Sequence, residues 1–202
     1  MKISKMLIAS LISVGLYSCG ENQEKSMLEE EHQLERAEYA DSVNRGLVAD
    51  LFKGSARREA SGKIGNTEVT INYGSPGKRG RVIWNGLVSY DQVWVSGSHW
   101  ATAVNFSKEV EVAGQKVEAG TYGFFTVPGQ ESWTLILNEN YDQHLADDYD
   151  EDKDIVRVTV SPENLDKEVQ RLTYEVTSTS ENEGDISLSW DRIRVTLPFR
   201  TL

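Results

Sequence analysis

Alternating carboxylates mark an acidic segment in the second half of the chain. Asp148, Asp150 and Asp152 have the spacing that opens many calcium-binding loops, in which carboxylate oxygens converge on a hard cation. An EF-hand would also need glycine at position 153 and a bidentate glutamate at position 159, but the chain has Lys153 and Thr159. Calcium at the three aspartates is therefore a hypothesis. Its alternative is a solvated loop between strands.

A second group of side chains suits the recognition of a ligand. Trp100 lies beside His99 in a polar stretch, so its indole is expected to be exposed as a platform for a sugar ring or a partner surface. The alternative is a core position, as predicted for Trp133 and Trp190. Basic side chains of the loop after Pro76 are expected to lie at the rim of the same site: Lys78, Arg79 and Arg81.

His99 and Trp100 can share one groove only if the backbone beside them is irregular. Consecutive side chains of a strand point to opposite faces of the sheet. Gly97, two residues before His99, permits a bulge or a turn. The predicted ligand site therefore consists of His99, Trp100, Lys78 and Arg81, next to an irregularity near Gly97.

Residue types that carry catalysis are sparse. His99 and His144 are too few for a three-histidine zinc site, although carboxylates can complete one. The sequence contains no nucleophile elbow and no phosphate-cradling glycine loop. With 32 acidic residues, a pair of catalytic carboxylates is not excluded by composition. We therefore assign no catalytic residue and no cofactor apart from the calcium hypothesis.

The first nineteen residues contain the three parts of an export signal. Lys2 and Lys5 provide positive charge, residues 6–16 form an uncharged apolar run, and a tripeptide then precedes Cys19. The apolar run is shorter than the about 20 residues that span a membrane. Cys19 is the only cysteine, so it has no partner within the chain for a disulfide bond.

The tripeptide Leu16-Tyr17-Ser18 resembles the lipobox of bacterial lipoproteins. The resemblance implies cleavage before Cys19 and attachment of lipid to its thiol. In Gram-negative lipoproteins, a residue other than aspartate after the cysteine implies sorting to the outer membrane, and this chain has Gly20. We therefore expect a lipid-anchored protein of the cell envelope, at the outer membrane. Its periplasmic or surface face stays open.

The charge of the chain excludes two classes of partner. The formal net charge is −11, and removal of the signal peptide with Lys2 and Lys5 would leave 19 basic against 32 acidic residues, a balance of −13. Such a surface repels nucleic acid and anionic lipid headgroups. The expected partners are the membrane through lipid on Cys19, and a glycan or an envelope protein.

An acidic linker is predicted between Cys19 and residue 60. Tyr39, Val43, Leu47 and Leu51 recur every four residues and would form one apolar stripe on a helix. Gly54 is placed to end that helix. The stripe has two interpretations, a helix that binds a partner and a spacer that rests on the domain. We favour the spacer because the stripe is weakly hydrophobic.

After Gly65 the apolar period changes from four to two, which is typical of strands with one buried and one solvated face. The alternating apolar residues are Val69, Ile71, Tyr73; Thr102, Val104, Phe106; Val156, Val158, Val160; Leu172, Tyr174, Val176; Ile186, Leu188, Trp190; and Ile193, Val195, Leu197. Turn-forming residues separate these segments, and no helical crossovers lie between them. About nine strands predict an all-β, largely antiparallel sandwich of jelly-roll or Greek-key type, with a barrel as the alternative.

The resulting division of the chain is a signal peptide at 1–18, a lipidated acidic helical linker at 19–60 and a β-sandwich domain at 61–202. Because the alternation begins beyond Ser61, a fragment that starts there is expected to fold without the linker.

A series of ordered motifs resembles a family of Gram-negative exported proteins known as domain of unknown function 2911. The motifs are the segments 69–73, 119–122 and 125–129, together with Pro76, Gly80, Arg81, Leu87, Val88, Tyr90, Val93, Trp94, Trp133, Tyr149, Asp150, Arg157 and Val158. The resemblance runs from about Ser61 to Phe199. It implies an exported β-sandwich-like domain, often on a lipoprotein, and brings no established activity.

The chain departs from this family where polar residues are usual. The family's arginine, asparagine and glutamate in the segment 94–102 are replaced by Val95, His99 and Trp100, and an arginine before the proline is replaced by Ser75. A site built from those family residues would be altered in this chain. Three function classes follow: a ligand- or partner-binding module first, a structural or assembly component of the envelope second, and a carboxylate-dependent hydrolase third.

Overall fold

The structure is a computed structural model and describes residues 38–202. The predicted signal peptide, Cys19 and the first part of the acidic linker lie outside the described residues. Residues 38–44 are helical (α1), and a short 3-10 helix, Glu151–Lys153, precedes β8. The strands are β1 (Ala56–Ile64), β2 (Thr67–Ser75), β3 (Thr102–Phe106), β4 (Val110–Val112), β5 (Gln115–Val117), β6 (Gly120–Val127), β7 (Trp133–Asn138), β8 (Asp154–Val160), β9 (Glu163–Ser178) and β10 (Glu183–Thr201).

The strands form two antiparallel sheets. One has six strands in the order β1-β2-β3-β6-β7-β8, and the other has four in the order β5-β4-β10-β9. The inward residues of both sheets form one hydrophobic core that includes Ile71, Phe124, Leu135, Leu188 and Val195. The predicted all-β antiparallel sandwich is confirmed, and within the described residues the sheets do not close into a barrel.

A smaller apolar cluster lies on the other face of the six-stranded sheet. Phe125 and Ile136 project from β6 and β7 and are covered by Val95 and Ala101. Tyr149 completes the cover with an edge-to-face contact to Phe125, at 5.2 Å between ring centroids. This cluster fixes the segments before β3 and before β8 against the sheet.

The two strands predicted at 186–190 and 193–197 are one long strand, β10. Its pairing with β9 shifts register on both sides of Asp191, whose φ of +55° lies in the left-handed region. From Ser189 to Ile193 the pairing advances four residues along β10 and nine along β9, so the extra residues lie in β9, and the left-handed backbone at Asp191 turns the following side chains of β10 to the other face. The inward positions of β10 accordingly have even numbers up to Trp190 and odd numbers from Ile193. For this reason the alternation in the sequence predicted two strands where the structure has one.

The helix ends earlier than the apolar stripe predicted. Gly46, with φ of +73°, follows α1, and the amides of Gly46 and Leu47 donate to the carbonyls of Val43 and Ser42. These two hydrogen bonds are those of a Schellman cap. The prediction of one helix through Leu51 to Gly54 is therefore wrong, because a glycine in the left-handed conformation stops it first.

Arg171 of β9 fastens the segment before β1 to the sandwich. Its guanidinium is fully buried and pairs with Asp50, with 2.7 Å between Nη2 and Oδ1. It also donates to the backbone carbonyls of Phe52, Gly54 and Ser75. A buried ion pair is tolerated only when such additional hydrogen bonds satisfy it. Residues 50–54 are thus held against the end of the sandwich where β1 begins.

Strand β1 begins at Ala56, inside the segment that the sequence assigned to the linker. Ala40 and Val43 of α1 are buried. Asn44 exchanges side-chain hydrogen bonds with the backbone of Arg171. The division into linker and domain stays a prediction, but the described part of the linker contacts the sandwich. Among residues 38–202 no helix is long and apolar enough to cross a membrane.

Candidate functional site

A cleft opens at the end of the sandwich where β1 starts, β2 ends and β3 starts. Antiparallel pairing places these three strand ends together, since Ala56 pairs with Ser75 and Asn72 with Ala103. The cleft has a volume of about 470 Å³ and continues into a second concavity of about 450 Å³ that shares His99 and His144. We call the two together the basic cleft. Its charged and aromatic lining is Lys53, Arg57, Arg79, Arg81, His99, His144, Trp94, Trp100 and Trp190.

The backbone that presents His99 is irregular. Ser96 and His99 have φ of +54° and +65°, and no strand runs from residue 95 to residue 100. Gly74 of β2 permits the close approach of this segment, because a Cβ there would collide with Ser98. The predicted irregularity near Gly97 is confirmed. Left-handed non-glycine residues are costly and tend to cluster at functional sites.

Two loops meet at the mouth of the cleft. The amide of Ala101 donates to Gln143 over 3.0 Å, and the amide of Leu145 donates to His99 over 2.6 Å. This pairing sets the ring of Trp100 edge-on to His144, at 5.8 Å between centroids. Trp100 is 52% exposed, as predicted, and it shares the second concavity with His99.

The lining of the basic cleft carries positive charge without negative charge. Lys53, Arg57, Arg79 and Arg81 are all exposed, and no aspartate or glutamate among the described residues lines the cleft. None of the four forms an ion pair within residues 38–202. Desolvation lowers the pKa of Arg57, which nevertheless stays protonated at neutral pH because guanidinium groups titrate far above it. Outside the lining, the carboxylate of Asp147 lies 3.6 Å from Nδ1 of His144.

The floor of the cleft is aromatic. Trp94 and Trp190 are stacked at 6.1 Å between centroids, and Trp84 meets both rings edge-on. Trp190 and Trp133 are buried, as predicted. The indole N–H of Trp94 donates to the carbonyl of Gly97. The indole N–H of Trp190 is buried and has no acceptor among the described residues.

Lys78 does not belong to the basic cleft. Its ammonium group pairs with Glu168 and with Asp191, the latter at 2.7 Å. It lines a neighbouring concavity, which meets the cleft at Arg81. Of the four residues in the predicted ligand site, the structure brings His99, Trp100 and Arg81 together and turns Lys78 towards Asp191 of β10.

Asp148, Asp150 and Asp152 do not converge. No group of three or more histidine, cysteine, aspartate or glutamate side chains among residues 38–202 is placed to hold a metal ion. The carboxylate of Asp150 instead accepts a hydrogen bond from the amide of Asp152 and caps the 3-10 helix. The three carboxylates therefore form no cluster among the described residues, and calcium binding at them stays a hypothesis.

Carboxylates are found in a different concavity, on the four-stranded sheet. Glu111, Glu183 and Asp185 line it, and desolvation raises the pKa of Asp185. Arg200 already neutralises Glu111 over 2.8 Å, and Glu183 accepts a hydrogen bond from Ser180. These contacts engage Glu111 and Glu183 with neighbouring side chains of the protein.

Sequence reasoning missed two basic residues of the cleft, Lys53 and Arg57, and gave no role to Trp190 beyond the core. The available signal was that both basic residues interrupt an acidic segment just before the first alternating strand. Their relation to Arg79 depends on the pairing of β1 with β2, which the local pattern does not specify.

Comparison with known proteins bears on this site only through the family. No curated protein and no solved structure matches the chain. A family model described as protein of unknown function (DUF2911) matches residues 55–199, from the last residue before β1 into β10, and so includes most of the lining of the basic cleft. The chain therefore belongs to the DUF2911 family.

Proposed function

We propose that this protein is a lipid-anchored module of the bacterial envelope that binds a small anionic ligand in the basic cleft. One observation carries the binding proposal. Four cations that have no ion-pair partner within residues 38–202 line the cleft, and no described aspartate or glutamate belongs to its lining, in a chain with 32 acidic and 21 basic residues. A random sampling of such a surface would place more carboxylates than cations around a cavity of this size.

The shape of the site supports the same proposal. A concave site with low-dielectric walls concentrates the field of its charges and raises the local concentration of opposite charge. The negative charge elsewhere on the chain would favour anions at this cleft over other surfaces. The long connection 76–101, which carries much of the lining, is typical of loops with a binding role.

The lipid anchor is supported by the sequence, through the export signal and Cys19. A glycan at Trp100 and an assembly role in the envelope are the competing proposals. The assembly role has one observation in its favour, because Leu47, Val48 and Leu51 are exposed in the segment after α1. These side chains follow a linker and do not form part of a cavity, so we rank assembly below ligand binding.

A thermal-shift screen of the chain from residue 20 onwards tests the proposal. That chain keeps every residue that the structure describes. Organic anions are expected to raise its melting temperature by mass action, and neutral glycans and metal ions are not. Arg79→Glu should abolish the shift. Lys108→Glu makes the same change in net charge outside the cleft and should preserve it.

Two results would overturn the proposal. The first is a shift by anions that Arg79→Glu leaves intact, which would place binding elsewhere. The second is a shift by neutral glycans alone, which would favour Trp100 as a sugar platform.

A further inference from the structure

The basic cleft combines its positive rim with an apolar interior. Pro76, Val88, Leu87 and Leu145 line it beside the two stacked indoles. Leu87 and Leu145 are exposed by 48% and 43%, so the apolar surface continues from the interior to the rim. An inorganic anion would gain nothing from these side chains. They suit the carbon skeleton of an organic molecule.

Two buried polar atoms in the lining lack partners. Trp190 is fully buried, and its Nε1 has no acceptor among the described residues. The hydroxyl of Ser98 is also buried without a partner. Buried donors are normally paired, and an indole N–H can only donate. An acceptor atom of a ligand at Ser98 would satisfy its hydroxyl, whereas the fully buried indole of Trp190 is out of reach of a ligand.

On the basis of the proposed function, we propose that the ligand is an amphipathic carboxylate of metabolite size. Its carboxylate group is held at the rim by Arg79, Arg81 and Lys53. Its apolar body lies against Trp94, Leu87 and Leu145, which line the cleft and keep exposed surface. Arginine suits the rim because its planar fork matches a carboxylate in a bidentate manner.

The side chains that line the cleft favour a carboxylate with an apolar body over a sugar. Sugars require several hydrogen-bonding partners, and the uncharged side chains of this lining are largely tryptophan, leucine, valine and proline. The exposed ring of Trp100 lies in the second concavity, away from the stacked pair. The interior therefore selects by hydrophobic contact, and the rim selects by charge.

Three matched probes separate these contributions in a calorimetric titration of the chain from residue 20 onwards. Phenylbutyrate has both the charge and the apolar body, acetate has only the charge, and phenylbutanol has only the body. Phenylbutyrate is expected to bind at least about tenfold more tightly than either of the others. Arg79→Glu and Leu87→Asp should each weaken its binding by about tenfold or more, whereas Lys108→Glu should not.

The outcomes distinguish this inference from the proposed function. If acetate or inorganic phosphate binds as tightly as phenylbutyrate, the amphipathic ligand is excluded and the anion-binding function stands. If phenylbutanol binds as tightly, the rim charges are irrelevant and both proposals fail. If no anion binds, both proposals also fail.

Discussion

Individual tryptophans of this protein occupy either the core or the mouth of the basic cleft. Trp133 and Trp190 are both fully buried in the core, and Trp190 stacks behind Trp94, which lines the basic cleft with part of its ring exposed. Trp100 stands at the mouth, half in solvent. These positions separate a contribution to folding from a contribution to binding.

Truncation of two of these tryptophans should have opposite consequences. Trp100→Ala is expected to leave the free energy of unfolding nearly unchanged, because the ring is already exposed, and to weaken any ligand that contacts the second concavity. Trp190→Ala should cost roughly 3–5 kcal/mol, since it empties a filled core position. Chemical denaturation of both variants is the measurement. A collapse of the Trp100→Ala melting curve would place that indole in the core.

Exposure of Trp100 and burial of Trp133 and Trp190 were predictable because local polarity and alternation report which face a residue occupies. The role of Lys78 was not, because its partners Glu168 and Asp191 come from β9 and β10. A loop rich in basic residues predicts a positive rim. Only the tertiary structure decides which of its cations are neutralised by carboxylates from other strands.

At the scale of elements, two features stabilise the ends of the sandwich. They are the tight turns between strands and the segment before β1 that Arg171 binds. The turn between β4 and β5 has two residues, Ala113 and Gly114, both with positive φ. Such a turn matches the twist of the paired strands. Alanine is the unfavourable residue in it, because its Cβ disfavours the left-handed region.

Ala113→Asn is expected to stabilise the protein by roughly 1 kcal/mol, since asparagine tolerates that conformation. The matched control is Gly114→Ala in the same turn. A Cβ at Gly114 would touch nothing, so any loss there reports the backbone penalty alone. Thermal denaturation measures both changes. The account of this turn is wrong if Ala113→Asn destabilises the protein.

Asp50 should be far more important for stability than an exposed carboxylate nearby. Asp50→Asn leaves the buried guanidinium of Arg171 without its counter-charge, and breaking such a pair costs about 3–5 kcal/mol. Asp41→Asn serves as the control, because Asp41 is about half exposed and pairs with Arg58, so its loss should cost at most about 1 kcal/mol. Urea denaturation compares the two. Equal losses would contradict the role assigned to Arg171.

The strand pattern was largely predictable, and its errors have physical causes. Alternation identifies a half-buried strand but cannot follow it past the left-handed residue Asp191, so β10 was divided there. The apolar stripe of the linker predicted a helix longer than α1. A period of four shows which residues share a face, but it does not show that Gly46 ends the helix. The contact of the linker with β9 depends on Arg171, far along the sequence. A fragment that starts at Ser61 would lack Asp50 and half of β1. Whether that fragment folds tests the prediction that the domain is independent of the linker.

At the scale of the whole molecule, the chain has 32 acidic and 21 basic residues, whereas the charged lining of the basic cleft within residues 38–202 is basic. The family model extends over the sandwich and supplies no activity, so the proposed binding function depends on this difference. Its proposed location depends on the export signal and Cys19.

Cys19→Ser is expected to abolish lipid attachment, because the thiol is the acceptor, and to leave an unprocessed precursor. Fractionation of the producing cells and mass spectrometry of the chain measure both effects. Ser26→Thr is the control, since it lies outside the lipobox and keeps the thiol. Normal maturation and membrane association of the Cys19→Ser chain would refute the lipid anchor.

The central claim, that an anion occupies the basic cleft, is tested most directly at the indole N–H groups. Each of the five tryptophans contributes one such group to a proton–nitrogen NMR spectrum, and single Trp→Phe variants assign them. On addition of phenylbutyrate, the resonances of Trp94 and Trp190 should shift, and that of Trp133, outside the cleft, should stay in place. Arg79→Glu should suppress the shifts. Unchanged Trp94 and Trp190 resonances at a phenylbutyrate concentration that saturates binding would contradict the claim.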